Sequence, residues 1–158
     1  MKIYQLPNNT KLYIHTNVIE IMNAYIQFSD NSHESGGFLA GYQHLKTNSI
    51  IIDDLTTPYE NDWHSRIMFQ IKDPKHYETL AKFKKSKSFF IGTWHTHPSD
   101  YANYSTTDSI DWLKSLMSDI PAADYYVFVI IARKEIGVWI GVSGTEEILR
   151  VDEIKENL

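Results

Sequence analysis

Two histidines and an aspartate stand where they could hold one metal ion on three sides. His95-Thr96-His97-Pro98 is followed, after six residues, by Ser105-Thr106-Thr107-Asp108. Far upstream, Glu34 opens the run Glu34-Ser35-Gly36-Gly37-Phe38-Leu39-Ala40-Gly41. A free carboxylate beside a three-ligand metal is the minimum set for splitting an amide bond with water.

The spacing requires particular elements. Residues two apart leave a helix in nearly opposite directions, whereas on a strand they leave from one face. Ser88-Phe89-Phe90-Ile91-Gly92-Thr93-Trp94, ahead of His95, is rich in the aromatic and β-branched residues that favour a strand. His95 and His97 are therefore expected to point the same way at that strand's end, with Trp94 turned into the core. Pro98 lacks an N–H and is expected to stop the ladder. Ser105 reads as a helix N-cap, with Ile110, Leu113, Leu116 and Met117 at helical spacing behind it. Asp108 then falls in the first turn, aimed back toward the histidines. Two imidazoles and a carboxylate suit zinc, with a water in the open fourth position. A zinc-bound water loses its proton near pH ~7, against a pKa of about 15.7 in bulk.

Each piece has a plainer reading. His-x-His can be an ordinary strand pair, Ser105-x-x-Asp108 a capping box, Pro98 a strand terminator and Glu34 a loop carboxylate. Their coincidence in one chain points to the metal.

The joint pattern resembles the JAMM motif of the JAB/MPN-plus metalloproteases: a Glu, then His-x-His-Pro, six residues, and Ser-x-x-Asp. The resemblance implies zinc ligands at His95, His97 and Asp108, a general acid/base at Glu34, and an oxyanion-stabilising hydroxyl at Ser105. It also implies an α/β fold, a mixed sheet sandwiched by helices, as one domain over residues 1–158. Within the family, Glu34 to Gly41 and Gly92 to Pro98 are most similar to small bacterial JAB proteins. Among these is the deconjugating peptidase of type II CBASS anti-phage operons. A protein substrate with a ubiquitin-like or nucleotidyltransferase C-terminal tail is implied. Many bacterial members carry Pro before the motif Ser, where this chain has Tyr104. The short link Ile120 to Asp124 implies loss of the second of two insertions with which eukaryotic deubiquitinases grip ubiquitin.

Two rivals use the same residues: a catalytically silent MPN-type scaffold, and a phage-tail or cell-wall peptidase. A zinc deaminase fits poorly, since the chain has no cysteine and its Glu lies upstream of the His pair.

At 158 residues, with 42% hydrophobic and 13% aromatic residues, the chain can build a globular core. Without cysteine, metal binding falls to His, Asp and Glu, and a cytoplasmic setting is expected. The start Met1-Lys2-Ile3-Tyr4-Gln5-Leu6-Pro7 has no long apolar core, and no apolar run approaches the ~18 residues of a membrane span. A net charge of −5 argues against general nucleic-acid binding. The basic cluster Lys82, Lys84, Lys85 and Lys87 is read as the favoured end of a helix dipole.

Strands are expected over 2–6, 11–14, 36–42, 49–55, 65–71, 125–132, 137–142 and 147–151, besides the motif strand. A turn is expected at Pro7-Asn8-Asn9. A helix over 17–27 carries Val18, Ile21, Met22, Tyr25 and Ile26 on one stripe. Another runs from an Asp73 cap and Pro74 to about Lys85. Residues 152–158 read as a helical turn or frayed tail. Of the remaining polar groups, His33 and Asp100 are possible extras at the site, and Tyr101 and Tyr104 could line it. His15, His44, His64 and His76 are read as structural or surface residues.

Overall fold

In a computed structural model, the chain is described over residues 1–155. The strands are β1 (Lys2–Gln5), β2 (Lys11–Ile14), β3 (Gly36–Gln43), β4 (Ile50–Leu55), β5 (Trp63–Ser65), β6 (Met68–Gln70), β7 (Phe89–Thr96), β8 (Tyr126–Ile131), β9 (Ile136–Gly141) and β10 (Ile148–Val151). The helices are α1 (Thr16–Asn23), α2 (Lys75–Lys85) and α3 (Thr106–Ser118), and Pro7–Asn9 form a 3-10 turn. Asn8 and Asn9 both take positive φ there, a conformation Asn tolerates better than most residues.

Eight strands form one mixed sheet in the order β1-β2-β4-β3-β7-β8-β9-β10. Its centre is β7, antiparallel to β3 and parallel to β8. β8 reads Tyr-Val-Phe-Val-Ile-Ile and is buried throughout. Such a run is expected where both faces of a sheet are covered. Its alternate residues divide between two cores. Val127, Val129 and Ile131 join Val18, Ile19 and Met22 of α1 on one face. Tyr126, Phe128 and Ile130 join Trp112 and Leu116 of α3 on the other. α2 lies on the α3 side, where Tyr77 and His76 pack against Phe38 of β3. The fold is thus the expected α/β sandwich.

Three expectations about the elements need correction. The strand foreseen over 65–71 is a hairpin, β5 paired antiparallel with β6 and turning at Arg66-Ile67. Ser65↔Met68 closes a two-residue turn without the Gly or Asn that usually marks one. α1 stops at Asn23, and its buried stripe holds Ile19 rather than the exposed Ile21. Residues 152–154 are neither helical nor frayed. Gln5 N donates to Asp152 O at 2.9 Å and Ile154 N to Ile3 O at 2.7 Å, so the chain beyond β10 pairs with β1 and the two sheet edges meet. Residues 156–158 of the expected tail lie outside the described residues.

The α2 start is as read from Asp73-Pro74. Pro74 already has helical φ/ψ, and Asp73 Oδ1 accepts from Lys75 N at 2.9 Å. Lys82, Lys84 and Lys85 fill its last turn. Among the described residues no helix is long and apolar enough to cross a membrane.

Candidate active site

The site forms where β7 ends. His95 pairs with Gly36 of β3 on one side and Ile130 of β8 on the other. One residue past the strand, His97 N still donates to Ile131 O at 3.0 Å, which keeps the strand alternation and turns both imidazoles to one face. Trp94 points the other way. It is 1% exposed and donates through Nε1 to Thr56 O at 2.9 Å. After Pro98 the chain leaves the ladder but stays tied down, because Arg133 N donates to Ser99 O and Lys134 N to Asp100 O, each at 2.9 Å.

α3 supplies the carboxylate. The Ser105 hydroxyl accepts from Asp108 N at 3.0 Å, and Ser105 N donates to Asp108 Oδ2 at 2.9 Å. The capping box is therefore real, and it is also what aims Asp108. With the carboxylate swung back over the helix start, Oδ1 lies 3.1 Å from His95 Nε2 and Oδ2 lies 2.9 Å from His97 Nε2. The capping box thus leaves the carboxylate facing both histidines.

Glu34 arrives from the other side, on the loop leading into β3. Its side chain is buried, and Glu34, His95 and His97 each bring a possible donor atom within 4.8 Å of the others. Burial first, and then the negative charge of Asp108, push the Glu34 carboxyl up to about 8. Burial also pushes the Asp108 carboxyl up, but hydrogen bonds from His95 and His97 outweigh it and hold the group well below the usual range.

The two imidazole nitrogens are 3.1 Å apart, and both face the same carboxylate. Each imidazole can donate through Nε2 to its own carboxylate oxygen, and the same nitrogens, deprotonated, can turn lone pairs to a cation. Around a cation at ~2.0–2.1 Å, three lone-pair donors would stand about 3.3 Å apart, close to what is seen. His95, His97 and Asp108 thus fit a metal, and Glu34 brings a carboxylate oxygen within 4.8 Å of both imidazoles.

A groove of about 330 Å³ leads away from His95 and Asp108 between the hairpin and α3. Phe38, Thr93 and Tyr126 line its floor, Phe69 to Lys72 one wall, and Asp111, Trp112 and Ser115 the other. Gly36 makes room for the first wall, since a Cβ there would lie 2.7 Å from the Phe69 ring and 2.6 Å from Trp94 O.

The other expected extras divide. Tyr104 packs over Trp112 and Trp139 with ring centres 5.5 and 5.8 Å away, covering the loop before α3. Tyr101 is exposed. His33 Nδ1 meets His64 Nδ1 at 2.7 Å, linking the Glu34 loop to β5. Asp100 forms a long ion pair with Lys134 at 3.6 Å. His44 Nδ1 accepts from Lys46 N and Thr47 N in the turn before β4.

His76 proves wholly buried, between Thr56 Oγ1 and Asp62 Oδ2, each at 2.6 Å. Thr56, Asp62 and Gln27 are buried polar groups as well, and the sequence reading singled out none of these three. The one available signal was local: Asp62 and Asp73 flank the hairpin as turn-forming residues.

Residues 23–144 match the family described as prokaryotic homologs of the JAB domain. The chain belongs to that family. A protein of Escherichia coli (strain TW11681) named CD-NTase/cGAS isopeptidase is 30% identical to this JAB protein over 131 residues, covering 81% of this chain and 79% of the relative. Proteins of the same name from Pseudomonas aeruginosa (strain BWHPSA011 / Pa011) and Vibrio cholerae serotype O1 (strain ATCC 39315 / El Tor Inaba N16961) are 32% and 26% identical over 109 and 134 residues. They cover 66% and 83% of this chain, and 67% and 81% of the relatives. The JAB fold also recurs in the solution structure of protein DSY2949 from Desulfitobacterium hafniense, with a TM-score of 0.61, 18% identity, and coverage of 93% of this chain and 94% of that one. A Salinibacter ruber (strain DSM 13855) protein gives a TM-score of 0.52, 16% identity, and coverage of 89% and 88%.

Proposed function

We propose that this chain is a zinc-dependent isopeptidase of the JAMM type. It cleaves the bond after the C-terminus of a nucleotidyltransferase conjugated to another protein, and so reverses conjugation in CBASS anti-phage defence in the cytoplasm. The observation that carries this reading is the triangle of His95 Nε2, His97 Nε2 and the Asp108 carboxylate, with edges of 2.9–3.1 Å, beside a buried Glu34. The names of the relatives supply the substrate class.

His95, His97 and Asp108 would hold the zinc. When bound, it supplies Lewis-acid polarisation of a water and of the scissile carbonyl. Glu34 takes the proton from the attacking water and delivers it to the leaving amine. A carboxyl kept in low-dielectric surroundings suits both halves of that task. Ser105 uses its oxygen to accept from Asp108 N and keeps its O–H to donate to the carbonyl oxygen as charge develops there. The groove beside α3 receives the tail that precedes the cleaved bond. Lysine and main-chain amines leave by the same steps.

Elemental mass spectrometry of the purified protein, beside Asp108→Ala, tests the metal. Cleavage of a nucleotidyltransferase conjugate tests the activity. About one zinc per chain, lost in the variant, together with release of the intact C-terminus, is the expected result. An absence of metal in both proteins after zinc is supplied would overturn it in favour of a silent scaffold.

A further inference from the structure

Gln27 belongs to none of the motifs, yet it is 1% exposed and bonds through both ends of its side chain. Nε2 donates to Ser32 O at 2.8 Å and to Arg66 O at 3.1 Å. Oε1 accepts from the Thr96 hydroxyl at 2.8 Å. Its main-chain oxygen accepts from Arg133 Nε at 2.6 Å. One amide therefore joins the Glu34 loop, the hairpin turn and the motif strand.

Thr96 is the residue between the two histidines. Strand alternation turns its side chain to the face opposite theirs, where it is fully buried. From there its hydroxyl accepts from Ser35 N at 2.9 Å, while Ser35 O accepts from Thr96 N at 2.9 Å. On its other side, Glu34 N donates to Ser65 O at 2.8 Å. The peptide units flanking Glu34 are thus pinned, one to the hairpin and one to the motif strand. Only a neutral amide completes this set, because it must donate to two carbonyls and accept from a hydroxyl at once.

We infer that Gln27 and Thr96 are positioning residues for Glu34, fixing its carboxylate against the His95–His97 pair through the Thr96–Ser35 contact. For its catalytic consequence this rests on the function proposed above; for its geometry it does not. Without these two side chains, the loop ahead of β3 would be tied beside Glu34 only by the main-chain contacts to Ser65 O and Thr96 N. Misplacement of a reacting group by ~1 Å costs on the order of 100-fold in rate.

The test compares Thr96→Val, which keeps the shape and removes the hydroxyl, with Thr96→Ser, which keeps the hydroxyl. Hydrogen exchange at the Ser35 amide is measured with and without zinc, alongside zinc content, kcat and KM. In the wild type the Ser35 amide is expected to be protected despite its place in a loop. In Thr96→Val it exchanges roughly tenfold faster. Zinc stays at the wild-type level, kcat falls by roughly 10–100-fold, and KM holds. Thr96→Ser restores both exchange and kcat. Rapid Ser35 exchange in the wild type overturns the inference, whatever the variants do. So does a Thr96→Val protein that is merely less stable, with unchanged Ser35 exchange and kcat. If the wild type binds zinc but cleaves no conjugate, the proposed function fails, and the exchange data still decide the positioning role.

Discussion

This fold contains two pairings of histidine with aspartate, and they behave in opposite ways. In the sandwich's α2 corner, His76 is fully buried between Thr56 and Asp62, and the Asp62 carboxylate also accepts from Tyr59 N, Lys72 N and Asp73 N at 2.8–2.9 Å. Every donor there has its acceptor. At the end of β7, His95, His97 and Asp108 make contacts of similar length, but two ring nitrogens converge 3.1 Å apart on one carboxylate at the mouth of a groove. The first set is complete as protein. The second also presents the donor set that a cation would take. Residue types do not separate them; burial and access to the groove do.

The strongest way to sharpen this contrast is Glu34→Gln. Turnover should fall by roughly 100- to 10,000-fold while the zinc content of the protein stays unchanged. Steady-state kinetics beside elemental analysis checks it, and near-normal turnover would remove Glu34 from the chemistry. His76→Ala acts on the other set. It removes one of four hydrogen-bond partners of the Asp62 carboxylate and the ring partner of Thr56, and should cost about 1–3 kcal/mol of stability, read as a shift of the urea midpoint. A neutral result would mean that the buried set is not saturated by His76.

Chelation comes next. A metal at a hundred times its Kd adds about 2.7 kcal/mol to the folded state, so a chelator should lower the melting temperature of the wild type and leave that of His97→Ala where it was. Equal shifts in both would place the metal elsewhere. Ser105→Ala should cost about 1 kcal/mol through loss of the cap, measurable in the metal-free protein, where any catalytic role is silent.

The smallest effect concerns acid. Burial raises the Asp62 carboxyl, but the main-chain N–H groups of Asp73 and Tyr59 and the His76 ring outweigh it, and the folded-state pKa lies below the ordinary value. The stabilisation is therefore full above the unfolded-state pKa of ~3.9 and is lost as the pH falls through the lower folded value. Asp62→Asn should flatten the acid limb of a stability–pH curve. An unchanged limb would show that this carboxylate is not selectively stabilised by the fold.

What could be read from the sequence follows from the range of the forces involved. The β7 strand, the Ser105 cap and the direction of the two histidines obey rules acting within a few residues, and all were legible. The 65–71 hairpin was not, because Arg66-Ile67 turns without a turn-forming residue. Nor was the early end of α1. Its apolar pattern continues to Ile26, but Gln27 is bound by Ser32, Arg66 and Thr96, partners 5 to 69 residues away, and the chain leaves the helix ahead of it. Buried polar sets depend on partners that only the finished topology assembles, so Gln27 looked like a helix-end polar residue and His76 like one more unassigned histidine.

The box at the start of α3 has an implication for how such a protein could change over generations. Asp108 faces the histidines and at the same time closes the first turn of its own helix through Ser105 N. An aspartate that served only the site could be lost by drift once activity ceased to matter. Here its loss also removes part of a cap worth on the order of 1 kcal/mol, from a fold whose whole margin is about 5–15 kcal/mol. Selection for a folded chain therefore bears on Asp108 even while the site is idle.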